Sequence, residues 1–261
     1  SAACAPCAGR VPGARGARGG LLDVGHRAWR QRGLAYYPKL LTAIPFTPAT
    51  GPRLCTAAGE DETACLDAAL QAVTSVAADQ GFSSWHCLFP TEAVSERLLY
   101  LGLPRRAATQ FHWCNDGFDS FDDFLGTFNS RKRKSLRRER RIVAEQGLRL
   151  EVMTGPEISD AAWEKFYHFY QLTYAKRSGH GGYLREQFFQ LIAETMQAHT
   201  VMVVAYEGDS PVAAALNFNS DRALYGRYWG CYQELDCLHF ETCFYQGIEY
   251  CIENNLQLFD P

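Results

Sequence analysis

The stretch that most restricts the fold is "TVMVVAYEGDSPVAAALNFNSDRALYGRYWGCY", residues 200–232. Three β-rich runs are separated by "EGDSP" and "NSDR". Turns that short join neighbouring antiparallel strands, so the stretch predicts a three-strand meander. Upstream, "RLEVMT" reads as a strand. "ISDAAWEKFYHFYQLTYAKR" and "YLREQFFQLIAETMQ" follow it as two helices with apolar stripes. Downstream, "CLHFETCFYQGIEYCIENN" reads as an amphipathic helix and "LQLFDP" as a last strand. The expected class is α/β in the α+β sense: a mixed, mainly antiparallel twisted sheet flanked by helices.

Ahead of these elements, Ser120 followed by Asp123 has the pattern of a helix N-cap. Phe121, Phe124, Leu125 and Phe128 then repeat at i, i+3, i+4, i+7. That face thins through "SRKRKSLRRERR", residues 130–141, where only Leu136 is apolar. It returns at Ile142 and Val143, and Gly147 stops it. A helix broken near Asn129–Ser130 is predicted. Eight residues of the run are Lys or Arg and one is an acid, Glu139, so the run carries +7. The whole chain carries −3, which leaves the remainder at −10. This is no globally basic nucleic-acid protein but a mildly acidic chain with one basic patch. On a helix these charges spread around most of the circumference, and only Glu139 compensates them. A polyanion relieves that repulsion: the phosphates of coenzyme A, an aminoacyl-tRNA acceptor stem or the pyrophosphate of a lipid-linked precursor. Arg131, Lys132, Arg133, Lys134, Arg137 and Arg138 are the candidate phosphate ligands. The plain alternative is a solvated face with ion pairs to the acidic remainder.

The N-terminal half reads as strand "LAYYPKLLTAIPFTP", helix Asp61–Gln80, strand "FSSWHCLF", helix "TEAVSERLLYLG" and strand "AATQFHWCN". A weak repeat of strand, helix and strand appears at 34–89 and again at 223–260. The ten cysteines sit mostly in apolar segments (Cys87, Cys231, Cys243, Cys251), as small hydrophobes in a reducing compartment do. No run approaches the apolar length of a membrane span. A cytoplasmic protein is expected. Residues 1–33 begin as an acid-free Ala/Gly/Arg-rich segment. It fits a transit remnant (which would make the protein organellar), a disordered tail or a cloning or gene-model artefact. A fragment is suspected.

Taken together, "AYYPKLLTAIPFTPATGPRL", "FHWCNDGFDSFDDFL", "SRKRKSLRRER", "RYWGC" and "LHFETCFYQGIEYCIE" resemble a Fem-like branch of the GNAT acyltransferase superfamily, the family labelled peptidoglycan biosynthesis or recognition. The resemblance runs from about Leu34 to the end. It implies two GNAT-like halves: a partial one at 34–117 and a second at 118–261, truncated at its C-terminus, with 1–33 outside. The implied activity is acyl or aminoacyl transfer to an amine, on a cell-wall precursor. The alternative is a catalytically inactive GNAT-like module that recognises nucleic acid or an anionic glycan. No tightly bound cofactor is implied. The donor, acetyl-CoA or aminoacyl-tRNA, is a co-substrate, and tRNA stays open as a partner beside the amine acceptor. The glycine-rich pyrophosphate loop of ordinary GNAT folds is missing from "YQELDCLHF", which argues against ordinary acetyl-CoA binding.

In the same frame, His239, Glu241 and Tyr245 near a helix start are candidates for acid–base work on the amine. A capping Glu and a satisfied His are the alternative. Arg227, Tyr228 and Trp229 are candidate cleft residues, or sheet-face packing. No metal is expected. Cys231, Cys237, His239, Cys243 and Cys251 lack ligand-pair spacing, and Cys4 with Cys7 has no second pair nearby. "SGHGG" at 178–182 is a loop that closes over a substrate or merely connects two helices.

Overall fold

The computed structural model describes residues 8–11, 31–33 and 36–261. Leu34, Ala35, Cys4 and Cys7 lie outside them, as does most of the N-terminal segment. The chain divides into two compact units, Ser1–Ala108 and Thr109–Pro261.

The first unit holds a three-stranded sheet. Strand β1 (Ala8–Val11) pairs antiparallel with β2 (Lys39–Thr42), and β2 pairs parallel with β3 (Trp85–Cys87). Helix α1 (Glu62–Asp79) makes the crossover between the parallel strands, as such a pair requires. Asp61 caps it, accepting from Thr63 N and Ala64 N at 2.8 and 3.3 Å. Helix α2 (Glu92–Tyr100) follows. Leu66, Leu70 and Val73 of α1 face Val94 and Leu98 of α2 around a small apolar cavity floored by Thr42, Trp85 and Cys87. Arg53 folds the connecting loop. Its guanidinium donates to the carbonyls of Leu88 and Ala49 at 2.7 Å and of Gly51 and Pro52 at 3.1 Å.

The second unit is built on a six-stranded mixed sheet ordered β4-β9-β8-β7-β6-β5. The meander is β6 (Thr200–Glu207), β7 (Ser210–Asn219) and β8 (Ala223–Cys231). Strand β5 (Leu148–Thr154) borders it at one edge. At the other edge β9 (Leu258–Asp260) lies parallel to β8, and β4 (Trp113–Cys114) antiparallel to β9. Only two residues of the strand expected at "AATQFHWCN" pair, and they do so in this second sheet. Trp113 is drawn there by Phe118 and Phe124, whose rings lie 6.0 and 5.8 Å away.

Strand alternation distributes the two faces. Met202, Val204, Ala214 and Leu216 meet Trp163, Phe166, Phe169 and Tyr170 of α5 (Asp160–Ser178) with Phe189 and Ile192 of α6 (Glu186–Thr195). On the opposite face, Val201, Leu224 and Phe259 meet α3 (Phe121–Gly126), α4 (Ser130–Glu145) and the last helix, α7. Helix α7 runs as Leu238–Phe240, a π turn Glu241–Tyr245 and Gln246–Glu253. Gly230 lets α5 approach β8: a Cβ there would lie 2.1 Å from the Phe169 carbonyl oxygen.

The expected break at Asn129–Ser130 is present. Ser120 Oγ caps α3, accepting from Asp123 N at 3.1 Å, and Asn129 Oδ1 caps α4, accepting from Lys132 N at 2.9 Å. The "SGHGG" loop and the two residues after it are tied locally and to α5. Gly182 N donates to His180 Nδ1, and Tyr183 N and Leu184 N both donate to Tyr170 Oη, each at 3.1 Å. Among the described residues no helix is long and apolar enough to cross a membrane. The strand–helix–parallel strand unit occurs twice, as β2-α1-β3 and β8-α7-β9.

Candidate functional site in the second unit

Helix α4 carries the basic run on a narrow apolar seam. Only Leu136 and Val143 are buried. Its first turn holds bases where the positive end of a helix dipole favours acids. Arg137 donates to Asp122 Oδ1 at 2.9 Å on the surface. Arg141 reaches Glu145 at 3.6 Å. Arg131, Lys132, Arg133, Lys134 and Arg138 make no ion pair among the described residues, so five of the six candidate phosphate ligands are uncompensated and Arg137 is not.

Arg140 was indistinguishable from its neighbours in the sequence, yet it turns inward. Its Nε donates to both oxygens of Glu241 at 3.1 Å, and its Nη2 to Glu249 Oε2 at 2.7 Å. The guanidinium lies 4.6 Å from the Phe121 ring centroid. Glu241 is 3% exposed and also accepts from Gln246 Nε2 at 2.8 Å. The two acids raise the pKa of Arg140 despite its burial, the largest single influence, which acts in the opposite direction.

The π turn explains how α7 meets α4. One extra residue per turn shifts the helical phase. It lets Glu241, Tyr245 and Glu249 all address α4, where Tyr245 Oη donates to Glu139. Burial, with Glu139 adding to it, pushes the Tyr245 phenol well above its ordinary pKa. Thr242, on the same turn, is buried, and its Oγ1 has no hydrogen-bond partner among the described residues. The helix starts after Cys237, a non-glycine residue at φ 62°.

His239 takes the other direction. Its ring centroid lies 5.4 Å from that of Trp229 on β8, 5.7 Å from Phe240 and 5.8 Å from Phe244. Burial, then the field of Arg177, lowers its pKa from 6.5, so the imidazole is neutral at pH 7. The three residues picked from "LHFETCFY" are thus split. Glu241 and Tyr245 join the network with α4, and His239 joins the aromatic face of β8.

Arg227, Tyr228 and Trp229 are also separated, by a bulge. Leu216 pairs with Tyr228 and Asn217 with Gly226, which leaves Arg227 as the extra residue. Arg227 Nη1 donates to the Gly226 carbonyl at 2.8 Å. Tyr228 packs into the α5–α6 core, 5.4 Å from Tyr170, and burial, then Tyr170, pushes its pKa up to about 12. Trp229 faces His239, and its carbonyl accepts from Thr173 Oγ1 at 2.8 Å.

The sequence reading missed an acid–imidazole pair. Asp260, at the end of β9, is 6% exposed. It accepts from Gln110 Nε2 at 2.9 Å and lies 3.7 Å from His112 Nε2. No local spacing signals partners that far apart; only the pairing of β4 with β9 joins them. Among the described residues no three His, Cys, Asp or Glu side chains gather as metal ligands.

With this geometry in place, a model of the FemAB-like family, described as peptidoglycan biosynthesis/recognition, matches residues 24–261. The chain belongs to the FemAB-like family. The match begins upstream of Leu34, where the resemblance had been placed. Among solved structures, this FemAB-like chain is similar to L-PGS from Bacillus licheniformis (10% identity, TM-score 0.54, 87% of this chain and 65% of that one). It is similar to the C-terminal domain of a putative lysylphosphatidylglycerol synthetase from Agrobacterium fabrum (12%, 0.56, 86% and 64%). FemX is a third (12%, 0.51, 87% and 72%). These likenesses show a shared fold, and the chain spans slightly less than two thirds of the first two structures. A search of the curated proteins finds no match.

Proposed function

We propose that this FemAB-like protein is an acyl- or aminoacyltransferase with a GNAT-like second unit, acting on an amine of a cell-wall precursor. The observation that carries the reading is the junction of α4 with α7. Five uncompensated bases on α4 are tied through Arg140 to the helix that presents a neutral His239 beside Trp229. The bases hold phosphates of the donor or acceptor. His239 takes the proton that the attacking amine loses, and the amine nitrogen bonds to the acyl carbon. The donor's thiol or ribose oxygen leaves and takes up a proton. Glu241, with its oxygens given to Arg140 and Gln246, is a positioning residue in this scheme. Its full engagement also favours the second reading, a non-catalytic module that recognises anionic glycan or nucleic acid.

Mass spectrometry of a candidate amine incubated with the protein and either aminoacyl-tRNA or acetyl-CoA decides between them. A mass gain on the amine is expected with one donor, and binding without any gain establishes the recognition module. His239→Gln should lower kcat by about 100-fold, the lower end of general-base contributions. It should also remove the fall in wild-type rate as pH drops below the ordinary histidine range. A variant with the wild-type pH profile excludes His239 as the base.

A further inference from the structure

An open cavity of about 610 Å³ lies on the sheet of the second unit. Its floor is Ala223 and Tyr225 of β8 with Leu258 of β9, and its rim is Ser220, Asp221, Arg222 and Gln257. The strand ladder tells which face this is. Ala223 pairs with Leu258 and Tyr225 with Asp260. Leu224 and Phe259, the residues between, enter the core shared with α3, α4 and α7. Strand alternation therefore puts the cavity on the opposite face. Helices α5 and α6 cover that face over β6 and β7 and reach Tyr228 on β8. Asp260 follows Leu258 by two residues, on the cavity's side of β9. It is 6% exposed and accepts from Gln110 Nε2 at 2.9 Å. Cys114 pairs with Leu258 and Trp113 with Phe259, so one further step puts His112 level with Asp260, 3.7 Å away. Arg227, the bulge residue, lies 5.7 Å from the Tyr225 ring centroid.

The rim is braced by its own hydrogen bonds. Ser220 Oγ accepts from Ala223 N at 3.1 Å. Arg222 Nε and Nη2 both donate to Gln257 Oε1, at 3.1 and 2.7 Å, and Gln257 N donates to the Arg222 carbonyl at 2.8 Å. Groups of both kinds surround the floor. Arg222 donates, Asp221 and Asp260 accept, and Ser220, Gln257 and the Tyr225 phenol do both. A phosphate would meet two carboxylates here, and an ammonium two guanidinium groups. Hydroxyls escape both penalties, because each donates and accepts. The floor asks in addition for an apolar face on the ligand. A pyranose ring has both: C–H bonds across its face and hydroxyls around its edge. The volume falls within the range of small-molecule sites, about 300–1,000 Å³.

We propose that this cavity is a saccharide site. A pyranose ring lies with its C–H face on Tyr225 and Leu258. Its hydroxyls bond to Asp221, Arg222 and Gln257 at the rim and, past Tyr225, to Asp260, which Gln110 and His112 hold in place. The site is on the opposite face of the sheet from α4 and α7, and it rests on neither reading of their junction. Saccharide binding and acyl transfer are separate readouts, so either can fail without the other.

Saturation-transfer NMR titrations with glucose, and separately with N-acetylglucosamine, test it. Saturable binding of either sugar, with the strongest transfer to its ring C–H protons, supports the site. Sorbitol, which has the hydroxyls but no ring face, should bind far more weakly than glucose. Tyr225→Ala should weaken sugar binding about tenfold or more, since it removes both the ring contact and its apolar area. Tyr225→Phe keeps the ring and should retain most of the binding. Asp221→Ala/Arg222→Ala, confined to an exposed turn, should weaken it about tenfold, the worth of one charge-assisted hydrogen bond. That variant keeps the test open if Tyr225→Ala does not fold. Arg131→Ala/Arg133→Ala/Arg138→Ala should bind sugar as the wild type does. The proposal is overturned if neither sugar binds the wild type or if sorbitol binds as well as glucose. It is overturned equally if Asp221→Ala/Arg222→Ala binds as tightly as wild type, or if the α4 triple variant loses the binding.

Discussion

At the residue scale, Arg140 shows where a sequence stops being informative. Eight bases in twelve positions look alike, and helical phase alone does not choose among them, because charges occur all around the circumference. Its two partners, Glu241 and Glu249, lie about a hundred residues away and face it only through the phase shift of the π turn. By contrast, Ser120 and Asn129 were readable as a cap and a break, since capping is decided within four residues. The Arg140–Glu241 pair has a clear energetic signature. Arg140→Ala leaves a buried carboxylate without its cation, and breaking such a pair costs about 3–5 kcal/mol. The double variant Arg140→Met/Glu241→Gln removes the charge along with its partner. It should recover more than half of that loss in urea unfolding. If the two changes simply add, the pair is not coupled and the junction is held by packing alone.

At the element scale, α4 is a helix whose composition works against its own dipole. The apolar seam of Leu136 and Val143 and the Asn129 cap hold it in place, so the bases of the first turns are not needed for folding. Arg131→Ala/Arg133→Ala/Arg138→Ala should leave thermal stability unchanged or slightly raised, because it removes mutually repelling charges from α4, two of them at the positive end of the helix. The same variant should bind a labelled RNA hairpin more weakly, with the slope of log K against log salt reduced by about 2 to 3. An unchanged slope would mean that these side chains are solvated, which was the plain alternative from the start. The π turn was illegible for a related reason. The apolar positions of α7 fit an ordinary amphipathic helix, and one inserted residue alters the facing of Glu241 and Tyr245 without disturbing that stripe.

At the scale of the whole molecule, the order of elements was legible because each depends on its own period. The meander, the two helices before it and the strand–helix–strand repeat all follow from local patterning. The partner of β4 was not legible: two paired residues carry no periodicity, and aromatic packing around Trp113 decides their place. The two units also differ in how much they bury. Thr200 to Ala205 of β6 and Ala213 to Asn217 of β7 are buried without interruption, with helices on both faces. In the first unit, β3 has no fully buried residue, and two of the buried positions of β2 are polar, Lys39 and Thr42. Local opening follows the apolar area that must be exposed. Amide hydrogen exchange should therefore be at least about tenfold slower at Met202, Val204 and Leu216 than at Leu41 and His86, a gap of about 1.4 kcal/mol or more in opening free energy. Equal protection in both sheets would place the weak point elsewhere.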